Sequence, residues 1–273
     1  QESSLRAPAA ALAAYRDVIG MVPSHAPARG ALERMLASAP EHRADIVELL
    51  EPLFEQDGDA ARLVRVLDAK LAITSDPVDR AAILQRLAGL YETKLGDRAN
   101  ALDAALRWLA ADTESLQPLG EVERLAGVLG TWRDVAARVA EIVRSPDGRP
   151  ADVQVGLWGF LGKVQRERLG QNADAVASYR AALAIEPEAL GALDPLIAIL
   201  RVDLQPAGTD WRALAEALGR RGAVVVEPAE RRAAFAEVAE LSERGGDRAA
   251  AIAAWRRIAD DDEADRYALD QLA

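Results

Sequence analysis

The sequence predicts an all-α chain, a solenoid of about seven helical hairpins and about fifteen helices running as one array through residues 1–273. Three observations carry this expectation. Apolar residues recur at three- and four-residue steps, as in Leu84, Leu87, Leu90 and Tyr91 and then Leu102, Ala105, Leu106 and Leu109, while strand alternation is nearly absent. Glycines return at a nearly fixed period. Finally, 58 alanines stand against 4% aromatic residues, and alanine is the best helix former while filling little space, so closely packed helices follow.

The elements are expected, in order, over 8–22, 26–38, 42–56, 59–73, 77–94, 98–111, 114–129, 131–144, 151–168, 173–185, 188–202, 210–222, 228–243, 248–260 and 263–272. Gly58, Gly130 and Gly208 precede the helical runs from Ala60, Trp132 and Trp211, spaced by 72 and 78 residues. Gly96, Gly170 and Gly246 form a second set, 74 and 76 residues apart. Gly96 suits the left-handed conformation that ends a helix, and Asp97 beside it can accept hydrogen bonds from the orphan amides of the next one. Pro77 after Asp76 and Pro228 after Glu227 stand where a helix begins and a missing amide costs nothing. Pro52 and Pro195, each preceded by an acid and followed by Leu, occupy equivalent interior places and are expected to kink their helices.

The stretch from Leu84, LQRLAGLYETKLGDRANALDAALRWLAADTE, returns from Trp158 and again from Phe235. These segments resemble the tetratricopeptide repeat (TPR) family, whose hairpin carries a large residue, Leu, a small residue and an aromatic in its first helix, then Ala, an aromatic, Ala and Pro in its second. Trp158, Leu161, Gly162, Ala175, Tyr179, Ala182, Leu183 and Pro187 match best. The first copy offers Leu84, Leu87, Ala88, Tyr91, Ala101 and Leu109, with Ala105 and Thr113 where the family has an aromatic and Pro; the third offers Phe235, Val238, Ala239, Gly246, Ala251 and Trp255. The best-matched hairpins are thus 82–113, 155–187 and 232–263. The half-units between them match weakly, Val122, Leu125 and Ala126 followed by Val135 and Val139 being one example. The resemblance implies a right-handed solenoid. Helix axes about 8–10 Å apart leave room only for small side chains at the crossing, which is the place of Ala88, Gly162 and Ala239 in first helices and of Ala101, Ala175 and Ala251 in second ones.

Charge and composition narrow the function. Forty-four acids against 33 bases give a net charge of -11, which repels a phosphate backbone, so nucleic acid is not an expected partner. Arginine supplies 30 of the bases and lysine three, a usage expected of a GC-rich bacterial genome. With no cysteine there is no disulfide, thiolate metal site or thiol nucleophile. No charge-free stretch approaches the roughly 18 residues that span a bilayer, and residues 1–14 lack the pattern of a signal peptide; no membrane insertion is expected, and the compartment stays open, with the cytoplasm favoured.

No cofactor, metal or catalytic residue is expected. His25 and His42 read as surface or cap residues, and Ser24 has no nucleophile elbow or oxyanion loop. Asp260, Asp261, Asp262, Glu263 and Asp265 lack the ligand alternation and central Gly of a calcium loop and read as a solvated helix junction. Gly156, Gly159 and Gly162 follow no strand and precede no Lys with Ser or Thr, so they read as helical glycines rather than a phosphate loop; the open choice at Gly156 and Gly159 is between a helix crossing and ligand access. The five tryptophans, 108, 132, 158, 211 and 255, read as core.

What remains is surface. The resemblance implies that first helices line a concave face where peptides or partner helices bind, which places Gln85, Gly89 and Glu92, then Gly159, Lys163 and Arg166, then Ala236, Glu240 and Glu243 on the candidate stripe. The Lys and Asn clamp with which some members hold a terminal carboxylate is not found. The expected function is a non-enzymatic scaffold for an unidentified protein partner. The alternative is a structural element that self-associates end to end: residues 8–22 read as a second helix lacking its first, residues 263–273 as a first helix lacking its second, and Tyr267, Leu269 and Leu272 as an apolar edge, as in a piece of a longer array.

Overall fold

A computed structural model describes the backbone of residues 2–145, 148–203 and 211–273 and the side chains of 8–145, 148–202 and 211–273. Fifteen α-helices and no strand occur among the described residues. The chain divides into two compact units, Gln1–Thr131 and Trp132–Ala273.

The first unit contains α1 (Glu2–Met21), α2 (Ala26–Ser38), a 3-10 turn (Pro40–His42), α3 (Arg43–Asp57), α4 (Ala60–Ile73), α5 (Pro77–Thr93), α6 (Arg98–Ala111) and α7 (Gln117–Leu129). Each helix packs on the next. Their shared core contains Leu32, Ile46, Leu50, Phe54, Leu67, Leu84 and Leu87, all essentially inaccessible. The second unit contains α8 (Trp132–Arg144), α9 (Ala151–Glu167), α10 (Asn172–Ile185), α11 (Leu190–Asp203), α12 (Trp211–Val224), α13 (Pro228–Arg244), α14 (Arg248–Asp261) and α15 (Arg266–Leu272), again packed in sequence.

The punctuation works as its chemistry requires. Gly58, Gly96, Gly130, Gly170 and Gly246 take φ values of 69°, 67°, 71°, 66° and 78°, the left-handed region where a Cβ is costly. Asp59, Asp97 and Asp247 then accept the amides of Arg62, Asn100 and Ala250 and so open α4, α6 and α14. Pro77 and Pro228 open α5 and α13. Gly208 lies outside the described residues. Pro52 and Pro195 lie inside α3 and α11, whose helical assignment continues through both.

Three expectations are corrected. Helix α7 starts at Gln117 rather than 114, because the Asp112 carboxylate accepts the amides of Glu114 and Ser115 in a turn before it. Helix α15 starts at Arg266 rather than 263 for the same reason: Asp262 takes the Ala264 amide and Asp265 caps at Ala268. Residues 8–22 are not a second helix lacking its first. The order of hairpins, fixed by α5 with α6 and α3 with α4, makes α1 the first helix of a hairpin with α2, and its Leu12 and Ile19 are buried in the same core as Leu32 and Leu36.

The residues that carry the family resemblance pack as that resemblance demands. Ala101, Ala175 and Ala239 are fully covered, as are Ala88 and Ala251 within a few per cent. At Gly162 an added Cβ would stand 2.8 Å from Cε1 of Tyr179, so the ring of α10 lies directly on the backbone of α9. The chain is therefore an all-α, TPR-like array of antiparallel hairpins, on the evidence of its own helix crossings.

Candidate interaction grooves

In the first unit the three stripe residues come together. Gln85, Gly89 and Glu92 lie on successive turns of α5 and line one groove of about 380 Å³, closed on the far side by Gln117, Glu121 and Leu125 of α7 and floored by Ala88 and Trp108. The groove is open beside Gly89, where α5 has no side chain: a Cβ added there would meet nothing within 4 Å. Glu92 is held at its edge by Arg124, whose guanidinium reaches both Glu92 oxygens at 2.8 and 2.5 Å and Glu121 at 2.6 Å. That hydrogen bonding keeps the Glu92 carboxyl below its ordinary range and raises the Arg124 pKa further. Two carboxylates thus share one guanidinium, and the rim is net acidic.

In the second unit the stripe residues are more dispersed. Gly159, Lys163 and Arg166 are half-buried on α9. A Cβ at Gly159 would meet nothing within 4 Å, so no helix crosses there. Arg166 donates to the Pro195 carbonyl at 3.3 Å, tying α9 to α11. On α13, Ala236 is half-buried and Glu240 exposed, while Glu243 accepts a hydrogen bond at 2.9 Å from the indole Nε1 of buried Trp255. Glu243 therefore satisfies the core of its own hairpin.

Other sequence readings find their places. His25 caps α2, its Nδ1 accepting the Ala28 amide at 3.2 Å; His42 ends the 3-10 turn with no side-chain cap bond. Asp260, Asp261, Asp262 and Glu263 are exposed. Trp108 and Trp255 are buried, Trp158 is partly so, and Trp132 carries the Arg168 guanidinium 4.8 Å above its ring. Among the described residues no group of three or more His, Cys, Asp or Glu could hold a metal ion, and no helix is long and apolar enough to cross a membrane.

Sequence reasoning missed two features. A groove of about 550 Å³ lies between α10, α11 and α12, floored by leucines and rimmed by Arg180, Arg212 and Arg220. The Trp211 ring rests on Gly245, where a Cβ would fall 2.1 Å from ring carbon Cε2. The available signal for the latter was the Gly245-Gly246 pair, since Leu95 and Leu169 precede the corresponding Gly96 and Gly170.

No protein-family model matches the chain, and no curated protein matches it. Solved structures similar to it include the C-terminal part of a TPR repeat-containing protein from Cytophaga hutchinsonii, 16% identical over 95% of this chain and 98% of that one, with a TM-score of 0.39. MamA is 17% identical over 67% of this chain and 92% of its own, with a TM-score of 0.39. Pseudomonas aeruginosa PilF is 13% identical over 85% and 97%, with a TM-score of 0.38. At these scores the assignment as TPR-like rests on the chain's own packing, from Gly162 against Tyr179 to the left-handed glycines.

Proposed function

We propose that the chain is a non-catalytic protein-interaction scaffold whose first unit takes an extended peptide segment in the groove between α5 and α7. The observation that supports this most is the exposed Gly89. A glycine inside a helix costs about 1 kcal/mol relative to alanine, and here that cost leaves a groove open while no neighbouring helix needs the space. The amides of Gln85 and Gln117 and the hydroxyl of Thr93 offer donors and acceptors to a peptide backbone, and Ala88, Trp108 and Leu125 offer a floor to one apolar side chain. Glu92 and Glu121 against the single Arg124 favour a segment carrying Lys or Arg. In the second unit Gly159, Lys163, Arg166 and Glu240 are proposed as a partner surface of that unit, considered by itself.

The test uses the open space itself. Gly89→Leu puts a side chain into the groove from a position whose Cβ meets nothing within 4 Å and, by helix propensity, favours α5 by up to about 1 kcal/mol. Peptides selected from a random displayed library on the wild-type protein should share a basic residue and lose binding to Gly89→Leu; an identical selected set on both proteins refutes the groove. For the second unit, Lys163→Glu with Arg166→Glu should weaken capture of a partner that Gly89→Leu leaves bound, and undiminished capture removes α9 from the surface.

A further inference from the structure

Arg124 divides its guanidinium unequally between two carboxylates at the rim of the α5–α7 groove. On Glu92 the contact is forked, Nη1 meeting Oε1 at 2.8 Å and Nη2 meeting Oε2 at 2.5 Å. On Glu121, one turn before Arg124 in α7, both bonds fall on the same atom: Oε2 accepts Nε at 3.2 Å and Nη2 at 2.6 Å. A carboxylate oxygen has about two acceptor sites, so Oε2 is filled and Oε1 is open. Among the described residues no other group bonds Glu121.

The two acids differ in their surroundings as well. The Glu92 side chain is 25% exposed, has both oxygens engaged, and feels Arg98 through space in addition to Arg124. Glu121 is 46% exposed and has only its share of one guanidinium. It lines the groove from the same face of α7 as Gln117 and Leu125, whereas Arg124 stands outside the lining. The uncompensated charge of the site thus sits on Glu121, beside an apolar floor of Ala88, Trp108 and Leu125.

Cations read such an acceptor differently. Arginine pairs best through a planar fork that takes both oxygens of a carboxylate at once, and here one of them is occupied. Lysine is a point charge with three rotatable donors and needs one oxygen. We propose that the α5–α7 groove selects lysine over arginine: the segment it binds sets a lysine ammonium on Oε1 of Glu121 and a large apolar side chain in the space beside Gly89. Arg124 is the positioning residue, keeping Oε2 closed and so denying the fork. The inference rests on the peptide-groove reading above and specifies its ligand. Because acetylation removes the charge and leaves the stem, an acetylated lysine is rejected.

The test takes the peptides selected from the random displayed library and measures, by fluorescence anisotropy on the whole chain, synthetic twins that differ only at the basic position. The lysine peptide should bind roughly fivefold more tightly than its arginine twin, and roughly tenfold more tightly than its acetyl-lysine and norleucine twins. This comparison on the wild type needs no variant. In Glu121→Gln the lysine peptide should fall to the level of its norleucine twin. In Arg124→Met, which frees both oxygens of Glu121, the arginine twin should gain most and at least equal the lysine peptide. Both replaced side chains are 46% exposed, and far-UV circular dichroism checks that the variants fold. An arginine twin that matches lysine on the wild type overturns the selection and leaves the groove standing. So does a lysine preference that survives Arg124→Met. Unchanged lysine binding in Glu121→Gln overturns the contact. A library that yields no basic peptide sensitive to Gly89→Leu overturns the groove itself, and this inference with it.

Discussion

Gly159 and Gly162 lie less than one turn apart on α9, and the structure assigns them opposite responses to the same substitution. Alanine in place of a helical glycine gains about 1 kcal/mol of propensity at either site. At Gly159 the added Cβ meets nothing within 4 Å, so that gain is realised in full. At Gly162 the Cβ falls 2.8, 2.9 and 3.0 Å from Cε1, Cζ and Cδ1 of Tyr179, where carbon pairs rest at about 3.5–4.0 Å. The ring is 2% exposed and must retreat about 0.7 Å into packed neighbours, an overpacking change that costs about 1–3 kcal/mol. Gly159→Ala is therefore stabilised by about 1 kcal/mol, and Gly162→Ala falls between neutral and about 2 kcal/mol destabilised. Because propensity cancels, the difference between the variants is the cost of displacing one ring. Urea denaturation followed by tryptophan fluorescence reads it as a separation of midpoints at unchanged slope. In a Tyr179→Leu background the separation should collapse. Coincident midpoints in the wild-type background would refute the contact between Gly162 and Tyr179, and with it the register of the best-matched hairpin.

Three further outcomes follow from the same packing. Ala175→Leu, at a fully covered crossing, should wedge α9 from α10 and destabilise by about 1–3 kcal/mol, and an unchanged midpoint would count against the crossing. Gly245→Ala should drive the Trp211 ring off its seat, since the Cβ would otherwise lie 2.1 Å from it; near-UV circular dichroism should lose intensity, and the loss should be absent in a Trp211→Phe background. Glu51 accepts hydrogen bonds from Lys70 at 2.8 Å and Arg86 at 2.6 Å. Burial pushes its carboxyl up, but the two cations outweigh burial and hold it below its ordinary 4.5. A depressed folded pKa contributes stability that is present above pH 4.5 and lost as pH falls through the folded value. Acid titration of stability should accordingly be shallower below pH 4.5 in Glu51→Gln than in the wild type, and identical slopes would show that the two cations do not act on this carboxyl.

The hairpins were legible because their determinants are local. A glycine and an aspartate in adjacent positions end one helix and begin the next at 96–97 and 246–247, with Gln171 in the aspartate's place after Gly170, and the left-handed glycines at 96, 170 and 246 are among those the period singles out. Helix starts at α7 and α15 were misread for an equally local reason, since aspartates 112 and 262 bond the amides just after them and compete with the first turn. The groove at Gly89 was partly legible, because helical spacing places Gln85, Gly89 and Glu92 on one face of α5 whatever packs beside it. Its far wall on α7 was not. The cationic groove was illegible throughout, as Arg180 and Arg212 stand 32 residues apart and nothing local marks them as neighbours. Contacts that join one hairpin to the next are set by the stacking of helices, which periodicity announces without specifying which side chains meet.

The abundance of arginine over lysine, read from composition as a trait of the genome, has a use in the fold. Arg86 reaches back from α5 to Glu51 and Glu55 of α3, and Arg124 from α7 to Glu92 of α5. In the second unit Arg201 of α11 meets Glu237 of α13 at 2.9 and 2.5 Å, and Arg221 of α12 joins Asp194 of α11 to Glu230 of α13. All but the Arg221–Asp194 bond, which lies within the α11–α12 hairpin, link helices across a hairpin boundary. Exposed pairs of this kind contribute about 0–1 kcal/mol each, less than one buried leucine, so burial holds the array together. What a two-pronged donor adds is discrimination: both prongs close only when neighbouring helices stand in one register, and a point charge such as lysine tolerates several. The acids on the faces of the first helices are thereby tied to their neighbours before any partner arrives. A groove on that face must then recognise its ligand with what the pairs leave open, and at α5 that is an unfilled glycine between two glutamines.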